Sequence, residues 1–124
     1  MYAAQAQATV PKLHVTLRKA YGFGSMVMAM PSFGGQAATF AFPGATLGAM
    51  GAGASSRAMR ADAEAADALR HAELTASYRS ARGLGFDELI DPRETRDALV
   101  DALEHSLASR QRAAEPVARI GITP

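Results

Sequence analysis

Leu13, Val15 and Leu17 alternate with His14, Thr16 and Arg18, the period-two signature of a strand. The stretch Arg18-Lys19-Ala20-Tyr21-Gly22-Phe23-Gly24-Ser25 follows directly, and the apolar run Met26-Val27-Met28-Ala29-Met30 after it reads as the opening of a short buried helix. Pro31 ends that run, because proline lacks an N–H and disfavours helix in the residue before it. Gly22 and Gly24 therefore fall at a strand-to-helix turn. The first N–H groups of a helix have no intrahelical acceptor, so at such a turn they can face an anion or a developing oxyanion.

Upstream, Tyr2 to Thr9 is rich in alanine and glutamine and predicts a marginal helix, with hardly any apolar side chain larger than alanine. Downstream, Gly34-Gly35 marks a turn, Ala38 to Phe42 a strand closed by Pro43-Gly44, and Thr46 to Met50 a second short strand. Gly51 to Ser56 is small and flexible, with little to pack. From Arg57 to Ser80 the chain is helical by propensity, with Ala66, Leu69, Ala72 and Ala76 on one face and Asp67 placed to meet Arg70 or His71 on the wet face. Gly83 and Gly85 break this helix, and Phe86 to Ile90 forms an extended link. Asp91-Pro92-Arg93-Glu94 is a helix start: Asp91 caps, Pro92 suits the first helical position and Glu94 reaches back to the cap N–H. Leu99, Val100, Leu103 and Leu107 mark the apolar face of the last helix. After Arg112 the pattern fades into a loose tail. No internal repeat is apparent.

Composition narrows the classes of partner. The 124 residues allow at most one domain, 48% hydrophobic and 20% charged, and a net charge of +1 gives neither a nucleic-acid footprint nor a polybasic membrane patch. With no cysteine, disulfides and thiolate metal sites are excluded, and the chain suits a reducing cytosol. No apolar stretch approaches the roughly 20 residues of a membrane span, and Met1 to Gln5 lacks the features of a signal peptide. A cytoplasmic protein is expected.

Side-chain chemistry is sparse. His71 is followed by Glu73 rather than by the remainder of a zinc helix, and the histidines read as solvated or locally bonded. There is no nucleophile elbow, Walker loop or dinucleotide fingerprint; turn chemistry explains Gly48, Gly51 and Gly53 better. Asp62, Glu64, Asp67 and Glu73 read as a solvated face. Met26, Met28 and Met30 suit core packing or the lining of an acyl or ring pocket. At the hinge, an anion-binding role and a plain structural turn both remain open on spacing alone.

The order of several short words adds to this. Val10-Pro11-Lys12, Arg18-Lys19-Ala20-Tyr21-Gly22, Ala41-Phe42-Pro43, Met50-Gly51-Ala52 and the run from Arg82 to Arg96 together resemble the C-terminal half of the carboxyltransferase (beta) subunit of biotin-dependent acyl-CoA carboxylases. The resemblance runs from about Ala3 to about Leu107. It implies an α/β fold, part of a crotonase-type (ClpP/crotonase) spiral of short strands and helices. Residues 1–112 would form a partial C-terminal carboxyltransferase domain and 113–124 a loose tail.

In that family carboxybiotin, delivered on a biotin carboxyl carrier protein, gives its carboxyl group to the carbon beside the thioester of an acyl-CoA, and backbone N–H pairs stabilise the enolate-like oxygens. The match implies that the amides of Phe23 and Gly24 are the biotin-side oxyanion donors and that Gly22, Phe23 and Gly24 form the biotin-binding turn. No metal bound by this chain is implied. Two departures stand out. The chain has Gly22-Phe23-Gly24 where the commonest family pattern has Gly-Gly-Ala, which puts a bulky side chain beside a donor, and Gly53-Ala54-Ser55-Ser56 stands where acidic and apolar residues usually continue. The acyl-CoA-binding N-terminal domain has no counterpart here. The chain is accordingly expected to be a fragment, truncation or piece of a split subunit, inactive alone and oligomeric with the remaining carboxyltransferase domains. Another crotonase-type acyl-CoA enzyme and a non-catalytic truncated fragment are the alternatives.

Overall fold

The computed structural model describes residues 2–28 and 35–109. After helix α1 (Tyr2–Gln7), strand β1 (Lys12–Thr16) leads to strand β2 (Lys19–Tyr21) and helix α2 (Gly22–Met26). The same order returns in strand β3 (Gln36–Ala41), strand β4 (Thr46–Gly48) and helix α3 (Ala52–Met59). Helices α4 (Ala63–Leu74) and α5 (Ala76–Arg82), strand β5 (Glu88–Leu89), a 3-10 turn (Pro92–Glu94) and helix α6 (Thr95–Ser109) complete the described chain.

All pairings among the described residues are parallel. One sheet has the order β1-β3-β5, and a smaller one pairs β2 with β4. Two successive strand-strand-helix units therefore stack side by side, each leaving the larger sheet, crossing to the smaller and entering a helix. The sequence carries no repeat because the units share backbone geometry rather than residue types. The expected strand through Arg18 is thus divided: β1 ends at Thr16, Leu17 is exposed, and Lys19 to Tyr21 belong to the other sheet.

Both faces of the larger sheet are covered, as parallel sheets require. Ala38 and Phe40 of β3 join Ile90, with Leu13, Val15 and the α6 residues Ala98, Leu99 and Ala102 packed against them. Ala41, Ala45 and Phe86 form a second cluster. The polar face of β1 is also buried, at Lys12, His14 and Thr16. Alternation identified that strand correctly, but it left unseen that the polar side would be enclosed as well. His14 shows how this is tolerated: Nδ1 lies 2.7 Å from the Met28 carbonyl oxygen and Nε2 lies 2.7 Å from Thr16 Oγ1. A carbonyl only accepts, so the proton sits on Nδ1 and the Thr16 hydroxyl donates to Nε2.

Three further expectations change. Gly51 to Ser56 does pack, since most of it lies in α3, where Ala52 is buried. The segment from Arg57 to Ser80 is divided among three helices: Arg60 ends α3 in the left-handed region (φ 51°), Asp62 caps α4 by accepting the Ala65 N–H at 2.8 Å, and Thr75 separates α4 from α5. Asp67 makes no ion pair with Arg70 or His71; the ion pairs among the described residues are Arg93–Asp91 and Arg96–Asp97.

The start of α6 follows the sequence reading. Asp91 accepts the Arg93 N–H at 2.8 Å and Glu94 accepts the Asp91 N–H at 3.3 Å, a capping box with Pro92 leading the turn. The apolar stripe is rotated, however. Ala98, Leu99 and Ala102 face the sheet, whereas Val100, Leu103 and Leu107 are exposed among the described residues. Alanines at 98 and 102 stand beside Leu99 on the docked face, and their small size permits the close approach of this helix to β3. Met30 and Pro31, and the proposed tail beyond Arg112, lie outside the described residues.

Candidate functional site

The helix after β2 begins four residues before the methionine run that reads as its opening. Helix α2 opens at Gly22, and Phe23 and Gly24 occupy its second and third positions. Their N–H groups consequently have no acceptor within the helix. Tyr21 precedes it in extended conformation (φ −120°, ψ 141°) and provides no side-chain cap. Gly22 then takes φ 62°, a region that a residue with a β-carbon enters only at a cost. The helix is one short turn, with Val27 N–H donating to the Phe23 carbonyl at 3.2 Å and Ser25 Oγ donating to the Gly22 carbonyl at 2.8 Å. Met28, expected inside, is exposed.

Two clefts meet at this turn. The larger, about 510 Å³, is lined by Val15 of β1, Lys19 and Tyr21 of β2 and the linking residues Leu17 and Arg18, together with Gly24, Ser25 and Met28. The smaller, about 400 Å³, is lined by Gly22, Phe23 and Ser25 on one side and Leu47, Gly48 and Ala49 on the other. The structure brings Gly22, Phe23 and Gly24 together but divides them between these clefts. The Phe23 side chain does not line the larger cleft; its ring packs on Tyr2 of α1, centroids 5.7 Å apart, and remains largely exposed.

The neighbouring turn, from β4 into α3, has the same form but a different fate. There Glu73 of α4 reaches across and accepts the Ala52 N–H at 3.1 Å, so a carboxylate already occupies the head of α3. The same oxygen, Oε1, accepts the Tyr21 hydroxyl. The Tyr21 and Thr46 hydroxyl oxygens lie 2.9 Å apart, and Thr46 Oγ1 in turn lies 3.3 Å from the Arg18 carbonyl oxygen, to which it can donate. The Tyr21 hydrogen bond, and then the Ala52 N–H, hold the Glu73 carboxyl below its ordinary value, while burial and the adjacent carboxylate hold the Tyr21 phenol above its own.

Glu73 therefore does not belong to the solvated face on which Asp62, Glu64 and Asp67 lie. Its position was readable: it falls four residues after Leu69 and three before Ala76, within the inward stripe rather than outside it. Among the described residues, no group of three or more His, Asp or Glu side chains is arranged to hold a metal ion.

Comparison with known proteins decides the family. The profile of the carboxyl transferase domain matches residues 1–119. The chain belongs to the carboxyl transferase domain family. It is 37% identical over 123 residues to the methylmalonyl-CoA carboxyltransferase 12S subunit of Propionibacterium freudenreichii subsp. shermanii, covering 90% of this chain and 23% of that protein. It is 35% identical over 132 residues to the carboxyltransferase subunit of propionyl-CoA carboxylase from Haloferax mediterranei, covering 98% and 25%.

Among solved structures, the transcarboxylase 12S hexamer with methylmalonyl-coenzyme A bound superposes with a TM-score of 0.75 at 35% identity, over 97% of this chain and 25% of that one. The beta subunit of geranyl-CoA carboxylase from P. aeruginosa gives 0.64 at 26%, over 94% and 28%. This carboxyl transferase domain chain thus has the α/β, crotonase-like fold over the portion present, and it spans about a quarter of the length of the relatives it matches.

Proposed function

We propose that this chain supplies the biotin-side oxyanion donors of a carboxyltransferase that moves a carboxyl group from carboxybiotin to an acyl-CoA of the acetyl- or propionyl-CoA type. The observation that carries the reading is the contrast between adjacent turns. Glu73 fills the head of α3, whereas the Phe23 and Gly24 amides lead α2 with no side-chain cap. Of two similar turns, one is closed by the protein's own carboxylate and the other is left for an oxygen from elsewhere.

The larger cleft suits a ureido ring in chemical character: Val15, Leu17 and Met28 offer apolar surface, and Gly24 contributes its backbone to the lining. Carboxybiotin reaches it as a substrate tethered to a biotin carboxyl carrier protein. As the carboxyl group leaves for the carbon beside the thioester, negative charge develops on the ureido oxygen. Two preoriented N–H donors stabilise that charge without reorganising, and the loss of one such donor typically costs about 10²–10³ in rate. The freed ring nitrogen takes the proton from the acyl carbon, and the electron pair of that broken C–H bond forms the new bond to the released carboxyl carbon. No side-chain acid or base is required, in keeping with the sparse side-chain chemistry of the turn. The acyl-CoA pocket and its own oxyanion donors come from the remaining carboxyltransferase domains in an oligomer, in the cytoplasm.

The test assays malonyl-CoA or methylmalonyl-CoA formation from carrier-bound carboxybiotin, with this chain alone and with the remaining domains supplied. The chain alone is expected to be inactive, and robust turnover by it would overturn the shared-site reading. In the assembled enzyme Gly24→Pro, which deletes one N–H, is expected to abolish turnover while leaving assembly intact. Retained activity in that variant would remove the amides from the mechanism.

A further inference from the structure

Helix α2 is too short to hold its own direction, since a single turn is marginal in isolation. Something outside it must set where the Phe23 and Gly24 amides point. Tyr21 is the last residue of β2 and the residue that leads into the helix, and the backbone reverses immediately after it at Gly22. Its ring tip is tied to two distant elements, Thr46 at the start of β4 and Glu73 in the last turn of α4. The ring also packs against Gly51, where a β-carbon would come within 3.5 Å of the ring and 3.3 Å of Glu73 Oε1. A glycine at that position is what lets ring and carboxylate share the space.

We infer that Tyr21 is the positioning residue of the Gly22–Gly24 turn, with its hydroxyl clamped by Glu73 and Thr46 so that the head of α2 is held in register with the head of α3. The clamp joins the two turns through one carboxylate oxygen: the atom that caps Ala52 also anchors the residue preceding Gly22. The functional meaning of this rests on reading the Phe23 and Gly24 amides as oxyanion donors, whereas the mechanical linkage does not.

The charged groups near the carboxylate are Lys19 on β2, whose charge favours its ionised form, and Arg79 on α5, which lines with Glu73 and Ala52 a separate cleft of about 140 Å³ and donates from Nη2 to the Ala72 carbonyl at 2.7 Å. Protonating Glu73 weakens both of its hydrogen bonds. A common response at Ala52 and at the Phe23–Gly24 pair is therefore the signature of the clamp.

The experiment follows backbone amide shifts of the ¹⁵N-labelled full chain as pH is lowered. In the unmodified chain the Phe23, Gly24 and Ala52 amides are expected to move with one midpoint. In Tyr21→Phe the Ala52 amide should still titrate, because Glu73 still caps it, while the movement at Phe23 and Gly24 is lost. In Glu73→Gln all three should stop titrating. Thr46→Val, which removes one anchor and keeps the other, should shift the Phe23 and Gly24 signals while leaving a residual titration, and serves if Tyr21→Phe does not fold. Unchanged titration of Phe23 and Gly24 in Tyr21→Phe, or a midpoint there that differs from that of Ala52, would overturn the inference and leave Tyr21 a packing residue. No substrate enters this measurement, so its failure is distinguishable from failure of the carboxyl-transfer reading.

Discussion

Gly22 sits so close to the carbonyl oxygen of Ala49, just beyond β4, that a β-carbon on it would lie 3.2 Å away. Positive φ and close approach act together at this residue. Gly22→Ala is expected to destabilise the fold by about 1–3 kcal/mol through left-handed strain and crowding. Gly24→Ala is the contrasting case: nothing lies within 4 Å of a β-carbon there. It should be neutral or stabilising by up to about 1 kcal/mol, because alanine is the better helix former, and it keeps the N–H. Urea denaturation of both variants checks the pair, and equal losses would contradict the geometry.

The acid and alkaline limits of stability should trace to Glu73 and Tyr21. Glu73 has a depressed pKa in the folded state, so its contribution is present above the pKa of an unfolded glutamate, roughly 4, and is lost as pH falls through the lower folded value. Tyr21 has a raised pKa, so its contribution is present below the unfolded tyrosine value, about 10, and is lost as pH rises through the higher folded value. Denaturation midpoints measured across pH should show Glu73→Gln flattening the acid limb and Tyr21→Phe flattening the alkaline one.

His14 should behave as a structural bridge. Replacing it with leucine leaves the Met28 carbonyl and the Thr16 hydroxyl without the imidazole partner inside the fold, and is expected to cost about 1–3 kcal/mol. Denaturant midpoints measure the loss, and an unchanged midpoint would show that water replaces the imidazole freely.

The rotated face of α6 predicts an inequality. Leu99→Ala removes contacts with the cluster of Ala38, Phe40 and Ile90 and should cost about 1–3 kcal/mol. Leu107 is 52% exposed, and Leu107→Ala in the isolated chain should stay within about 0.5 kcal/mol. The reverse ranking would restore the leucine stripe as the docked face.

Local patterns were enough for much of this protein. Alternation placed β1, the Asp91–Glu94 words placed the start of α6, and the glycine pair placed a strand-to-helix turn, because each depends on the chain's own backbone preferences within a few residues. The order of words from Val10 to Arg96 also carried the family. Tertiary structure decided what those preferences could not. It moved the helix start back to Gly22, enclosed the polar side of β1, turned the alanines of α6 inward and drew Glu73 from an apparently wet face to the Tyr21 hydroxyl. Each of these depends on which surfaces meet across the two parallel sheets, at separations as long as the 52 residues between Tyr21 and Glu73. Burial and hydrogen bonding at such range are properties of the assembled units. The hinge was legible as a turn, but the clamp that holds it exists only once the second turn has folded beside the first.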